Sequence, residues 1–145
     1  IMKLHVDDRT SLNEIGSDII GASFEVRKVA GRYFREKYYK YALAYELRNM
    51  GHTVEIEKTL PALYKGFEIE DSYYMDLVID DKVVVETKAL RQVGDSEYRQ
   101  LMSYLMLSHY KLGYLINFGV EDFTIAKREN KFCPYYGIYR FVNQI

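Results

Sequence analysis

An aspartate, a glutamate and a lysine interrupt two otherwise apolar segments of the chain. Residues 74–91, YMDLVIDDKVVVETKALR, read as two short strands joined by a tight turn, with Asp76 in the first strand and Glu86 and Lys88 in the second. Because side chains alternate along a strand, Glu86 and Lys88 point to the same face of the sheet. The position of Asp76 relative to that face depends on the turn.

The length of the turn decides whether the two acids meet. A two-residue loop at residues 80–81 places Asp76 opposite Val85 and sends the acids to different faces. A three-residue loop over residues 80–82 places Asp76 directly opposite Glu86, and a β-bulge could do the same. We predict that the two acids share a face.

Two carboxylates in that arrangement would favour a bound cation. They would lie roughly 5 Å apart at the backbone and repel each other unless positive charge lies between them. Lys88 supplies part of that charge, and Mg²⁺ is commonly held by one or two carboxylates together with waters and a substrate phosphate. Such an ion lowers the pKa of a bound water, which a lysine can orient or deprotonate. The alternative is a solvated hairpin that carries Glu and Lys for solubility.

Two predicted helices offer further polar groups. In the segment 34–50, Glu36 lies on the same line as the apolar stripe, although an acid there can also stabilise the helix N-terminus. Glu25 lies at the edge of the stripe of its own helix and is a weaker candidate. In the helix that Gly94 and Asp95 open, QLMSY places Gln100 and Tyr104 on one face, where a tyrosine in a core helix is the alternative.

The elements that must position these residues follow from hydrophobic periodicity. Helical spacing covers residues 10–31 and 34–50, and strand alternation begins near residue 52 and stops at Pro61. The hairpin and a helix follow, and then the continuous apolar run LGYLINFG, which predicts a strand buried on both faces of the sheet. Two weaker strand segments are FTIAKR and YYGIYRFV. The order helix, three strands, helix, strand predicts an α/β class with a parallel pair inside a mixed sheet, in one domain over residues 1–145.

Composition excludes several classes of function. Twenty basic residues oppose twenty-one acidic ones, so a nucleic-acid partner would have to bind a local patch. The sequence contains no apolar run long enough to predict a membrane span, and its N-terminal segment lacks the apolar core of a signal peptide. We therefore expect a cytoplasmic protein without a membrane partner. One cysteine and three scattered histidines predict neither an internal disulfide nor a zinc site.

Taken together, these residues resemble the PD-(D/E)XK nuclease superfamily and, within it, the small bacterial GxxExxY proteins. The resemblance runs from about Ile19 to Arg128 and is carried by IIGASFEV, EKYYKYALAYEL, the hairpin with ETK, QLMSYL and GYLINFGV. It implies a PD-(D/E)XK nuclease-like core, with a mixed central sheet flanked by helices. The chain departs from the pattern at Tyr33, where the GxxExxY motif has glycine, and MD replaces PD at Asp76.

The resemblance also implies roles for individual residues and a metal cofactor, Mg²⁺ or Mn²⁺. The implied set comprises the metal ligands Asp76 and Glu86, Glu36 as a supporting acid and ligand, the catalytic Lys88, and Gln100 and Tyr104, which match residues that help form the site of RecB-type nucleases. The hypothesis is a metal-dependent nuclease, with DNA rather than RNA as the substrate. The alternatives are a catalytically silent binding or scaffold protein and an enzyme that hydrolyses another phosphoester.

A phosphodiester substrate requires basic groups near the acids. The segment around Glu36 supplies six candidates for nucleic-acid binding: Arg27, Lys28, Arg32, Arg35, Lys37 and Lys40. The alternative is that these residues decorate a solvated helix. Protein partners are not predicted, and a homo-oligomer stays an open alternative.

Overall fold

The described residues form three helices and seven strands. A computed structural model describes residues 4–71, 73–129 and 133–144, with side chains from residue 11 onward within those ranges. The elements are α1 (Leu4–Ala30), α2 (Glu36–Asn49), β1 (Val54–Leu60), β2 (Leu63–Tyr64), β3 (Phe67–Glu68), β4 (Tyr73–Ile79), β5 (Val83–Lys88), α3 (Asp95–Ser108), β6 (Leu112–Asn117) and β7 (Ile138–Val142).

The central sheet is mixed, as the sequence predicts. Its five strands lie in the order β1-β4-β5-β6-β7, and β2 and β3 form a separate two-stranded hairpin. Among the neighbouring strand pairs that the structure describes in this sheet, only β5 and β6 run parallel, and α3 connects them, while the other pairs are antiparallel. The α/β class with a parallel pair is therefore confirmed. Of the two weaker strand predictions, 135–142 contains β7, but 123–128 makes only an isolated bridge at Ile125.

Helices cover both faces of the sheet. On one face, α1 and α2 bury Ile19 and Leu43 against Leu77 and Val85 of the sheet, in the larger of two apolar clusters. On the other face, α3 buries Leu101, Leu105 and Tyr104 against Val84 and Leu115. Every residue of β6 is buried, which confirms the prediction from its unbroken apolar run. Burying one such aliphatic side chain contributes about 1.5–3 kcal/mol.

The helix ends follow local sequence signals. Helix α1 stops at Ala30 because Gly31 takes a left-handed backbone conformation, with φ of 75°. Helix α3 begins after Gly94, whose N–H donates a hydrogen bond of 2.6 Å to the Glu97 carboxylate. No helix among the described residues is long and apolar enough to cross a membrane.

Candidate functional site

The turn between β4 and β5 brings the two acids together. The ladder pairs Leu77 with Val85, and the loop between the strands comprises residues 80–82. The next position along the same register places Asp76 opposite Glu86. The three-residue alternative is therefore the one that the structure contains, and it brings the two acids next to each other across the strands. That their side chains share a face stays a prediction.

At this position carboxylates take the place of backbone partners between the two strands. The N–H of Asp76 donates to Oε2 of Glu86 at 2.8 Å, and the N–H of Thr87 donates to Oδ2 of Asp76 at 2.9 Å. The Thr87 hydroxyl adds a bond of 3.2 Å to the same Oδ2. Each acid is thus oriented by the backbone of the opposite strand, so neither carboxylate depends on a flexible surface position.

Burial makes this pair of acids electrostatically costly. Glu86 is 1% exposed, and burial raises its pKa well above the usual value, with the charge of Asp76 raising it further. The Asp76 N–H and Lys88 act in the opposite direction. A buried acid beside a second acid favours either a proton or a cation between them.

Helix α2 brings a third carboxylate to the pair. Glu36 is its first residue, and burial raises the pKa of Glu36, followed by the charge of Asp76. The two carboxylates are close enough to share a hydrogen bond, while Lys88 and Lys40 lower the same pKa. Glu36 therefore belongs to the acidic centre, in addition to its favourable place at the helix N-terminus.

Lys40, which the sequence assigns to the basic residues that bind nucleic acid, instead lies in this acidic centre. Lys40 is 8% exposed, and its Nζ lies 3.1 Å from Oε2 of Glu57 and 3.7 Å from Oδ1 of Asp76. Burial lowers the pKa of Lys40, but the bond to Glu57 and the charge of Asp76 outweigh burial and raise it. The sequence could have indicated this position of Lys40, because Lys40 follows Glu36 by four residues and shares its helix face.

Glu57 is an acid that the sequence argument missed. Strand β1 pairs Ile56 with Leu77 and Lys58 with Met75, so Glu57 lies across from Asp76. Its backbone has φ of 55°, a left-handed conformation that is uncommon for a non-glycine residue inside a strand. Strand alternation alone gives no sign of this local change of conformation.

Helix α3 places an amide and a phenol beside the lysine. Nζ of Lys88 donates to Oε1 of Gln100 at 2.7 Å, and Gln100 acts on Tyr104 to lower its pKa. Burial, followed by the charges of Glu86 and Asp76, raises the pKa of Tyr104 to about 12. Tyr104 therefore stays a neutral phenol near neutral pH, and Lys88 is anchored by an amide next to the acids.

The donor set fits a hard divalent cation that keeps some of its waters. Within the described ranges, no three His, Cys, Asp or Glu side chains form a ready metal-binding group. Asp76 and Glu86 nevertheless offer oxygen ligands at one point, and Mg²⁺ in proteins often takes one or two carboxylates and completes its shell with water and phosphate. Glu36 lies near enough to support such a shell.

The other predicted basic residues differ in their surroundings. Lys28, Arg35 and Lys37 are exposed, whereas Arg27 donates to the Glu121 carbonyl at 2.9 Å and lies over the Phe123 ring. The guanidinium of Arg32 lies 5.1 Å from the centre of the Tyr33 ring. The six residues therefore do not share one environment.

Comparison with known proteins gives one match. The model of the PD-(D/E)XK nuclease superfamily matches residues 13–129, a range that includes the acids, Lys88, Gln100 and Tyr104. Searches of curated proteins and of solved structures found no significant match. The family match spans most of the chain, so the chain belongs to the PD-(D/E)XK nuclease superfamily.

Proposed function

We propose that this member of the PD-(D/E)XK nuclease superfamily is a metal-dependent phosphodiesterase that hydrolyses nucleic acid, with DNA preferred over RNA. One observation carries the proposal. Asp76 and Glu86 are held opposite each other by backbone N–H groups, with Glu36 beside them and Lys88 on the same strand face. This is the arrangement that hydrolysis of a phosphodiester by a metal-activated water requires.

Asp76 and Glu86 are the proposed ligands of a Mg²⁺ or Mn²⁺ ion, with Glu36 supporting the ion or its waters. When bound, the ion supplies charge at the phosphate and a water of lowered pKa. The backbone bonds to both carboxylates keep them in place before substrate binds, which limits the reorganisation that the reaction requires.

The roles of the remaining residues follow from their contacts. Lys88 orients the attacking water or stabilises negative charge on the phosphate, and its bond to Gln100 fixes the direction of the ammonium group. Tyr104 lies near Gln100 and, as a neutral phenol, can donate a hydrogen bond across the neutral pH range. Lys40 offsets the charge of Asp76 in the metal-free protein.

A catalytically silent scaffold is the competing hypothesis. It would be favoured by acids that point to different faces or by a Lys88 drawn away into an ion pair. The direct contact between Asp76 and Glu86 and the amide partner of Lys88 support the enzyme instead.

Isosteric substitutions test the proposal. Asp76→Asn and Glu86→Gln should abolish calorimetric Mn²⁺ binding and hydrolysis of labelled DNA and RNA, because each removes a charged ligand and keeps the side-chain shape. Lys88→Met should keep Mn²⁺ binding and lower the hydrolysis rate by about 10²-fold or more. Glu25→Gln is the matched control, since Glu25 is an exposed glutamate of α1.

The results separate the two hypotheses. Metal-dependent hydrolysis that survives in Asp76→Asn would contradict the assigned site. Folded wild type that binds no Mn²⁺ and hydrolyses neither nucleic acid would favour the scaffold.

A further inference from the structure

A groove of about 610 Å³ is lined by residues that neighbour Glu36 and Lys88 in the chain. Its volume lies in the range of about 300–1,000 Å³ that is usual for small-molecule sites. Three chain segments form most of it, residues 32–34, 89–92 and 119–122, together with Pro134 and Tyr135.

The groove is continuous with the proposed catalytic residues along the chain. Ala89 and Leu90 directly follow Lys88, and Phe34 lies two residues before Glu36. Consecutive Cα atoms are about 3.8 Å apart, so two residues span no more than about 7.6 Å. Part of the groove lining therefore lies within about 7.6 Å, from Cα to Cα, of Lys88 and Glu36.

A buried tyrosine holds one wall in place. The hydroxyl of Tyr39 donates to the carbonyl of Gly31 at 2.7 Å and accepts from the N–H of Phe34 at 3.2 Å. The Tyr39 ring is fully buried and stacks on Phe118, with ring centres 4.7 Å apart and planes 2° apart. The segment that presents Tyr33 and Phe34 is thus tied to the core at both of its ends.

The floor is formed by two backbones in close contact. A Cβ on Gly119 would lie 2.4 Å from the carbonyl oxygen of Leu90, so only glycine fits there. The side-chain oxygen of Asn117 accepts from the N–H groups of Leu90 and Gly119 at 2.8 and 3.1 Å. This floor is therefore built into the ends of β5 and β6.

Aromatic rings are exposed along the groove. Tyr33 is 86% exposed, Tyr135 67% and Phe34 48%. The Arg32 guanidinium lies over the Tyr33 ring, and Phe34 stacks on Tyr38 with ring centres 4.1 Å apart. Exposed rings on a rigid support are the feature by which proteins stack unpaired bases.

The charges of the groove argue against a duplex. Arg32 and Arg91 line it, but so do the exposed acids Glu121 and Asp122, and these four formal charges cancel. A duplex binds mainly through its two phosphate backbones and needs an excess of positive charge. Ring faces, in contrast, can reach a base only when that base is unpaired.

We propose that this groove binds an unpaired nucleotide adjacent to the phosphate that is cut, with its base stacked on Tyr33, so that the protein acts on single-stranded nucleic acid. The inference rests on the proposed function, because that function identifies the neighbouring acids as the place where the phosphate is cut. The stacking itself requires no metal and can be measured without hydrolysis.

The test measures binding of a short fluorescein-labelled oligothymidylate by anisotropy in EDTA, with a duplex of the same length as the competitor. Tyr33→Ala should weaken single-strand binding about tenfold, since one stacked base contributes on this scale, and Tyr33→Phe should restore it. The salt dependence of the single-strand affinity should not change in Tyr33→Ala, because no phosphate contact is lost. In Arg91→Ala, the same dependence should become shallower. The control is Tyr45→Ala, a 63% exposed tyrosine nine residues beyond Glu36 on α2.

Three outcomes would overturn the proposal: Tyr33→Ala binding as tightly as wild type, a duplex binding more tightly than the single strand, or a wild type that binds neither. In the last case, metal-dependent hydrolysis by the same preparation would still support the proposed function. If the wild type binds the single strand but hydrolyses no nucleic acid, the proposed function is refuted, and the groove keeps its assignment as a single-strand binding site.

Discussion

Replacing Lys40 with methionine tests whether the metal-free centre depends on an internal cation. Methionine keeps an unbranched side chain of similar length and removes only the charge. At an effective dielectric constant of about 20, the 3.7 Å separation of Lys40 and Asp76 corresponds to a gross attraction of about 4 kcal/mol. Desolvation of the buried lysine opposes this attraction, and the Glu57 carboxylate is half exposed, so its pairing adds little.

The expected net loss is about 2–3 kcal/mol in the free energy of unfolding, measured by urea denaturation in EDTA. Asp76→Asn alone and the double variant complete a double-mutant cycle, because removing Asp76 also removes the charge that Lys40 offsets. We expect the cost of Lys40→Met to fall by about half or more in the Asp76→Asn background.

Metal binding should respond in the opposite direction. Lys40 and a divalent cation compete for the same carboxylate, so Lys40→Met should bind Mn²⁺ at least as tightly as wild type in calorimetry. A stability loss below about 0.5 kcal/mol, the level of an ordinary surface substitution, together with an additive cycle, would show that the ion pair is not needed.

Two further predictions concern other parts of the fold. Burial lowers the pKa of His52, but hydrogen bonds to Asp80 and Asp18 outweigh burial and raise it. The stability that these bonds contribute is therefore fully present below the unfolded pKa of about 6.5 and is lost as the pH rises through the folded pKa. In urea denaturation, His52→Gln should be less stable than wild type at pH 6, and the difference should shrink by pH 9. Gly119→Ala should lower the free energy of unfolding by about 1–3 kcal/mol in the same assay, because its Cβ meets the Leu90 backbone.

Each of these predictions has a contradicting result. A His52→Gln deficit that is equal at both pH values would mean that the ring acts through packing and not through its charge. A Gly119→Ala variant as stable as wild type would mean that the ends of β5 and β6 separate easily, so that the backbone of the groove floor can shift at little cost in stability. Gly21→Ala is a suitable control, since a Cβ there contacts nothing within 4 Å.

Local signals in the sequence were sufficient for the main helices, the strands of the central sheet and the hairpin, but not for the small β2–β3 hairpin, and they wrongly predicted a strand at 123–128. Strand alternation and the spacing of apolar residues depend on each segment alone, and the distance between Asp76 and Glu86 along the chain allowed only a few loop lengths. The burial of β6 followed from its unbroken apolar run. The assignment of residues 1–145 to one domain stays a prediction, as do the catalytic roles of the acids and Lys88.

Tertiary structure decided what surrounds the acids. The sequence shows that Lys40 and Glu36 share a helix face, but only the packing of α2 on the sheet decides that this face meets Asp76. Glu57 has a left-handed backbone within β1, which the alternation of its own segment does not indicate. The groove likewise joins segments far apart in the chain, residues 32–34 and 119–122, and Tyr39 packs on Phe118 between them in sequence. Periodicity describes one segment at a time, whereas these contacts arise between segments, and their geometry is set by packing.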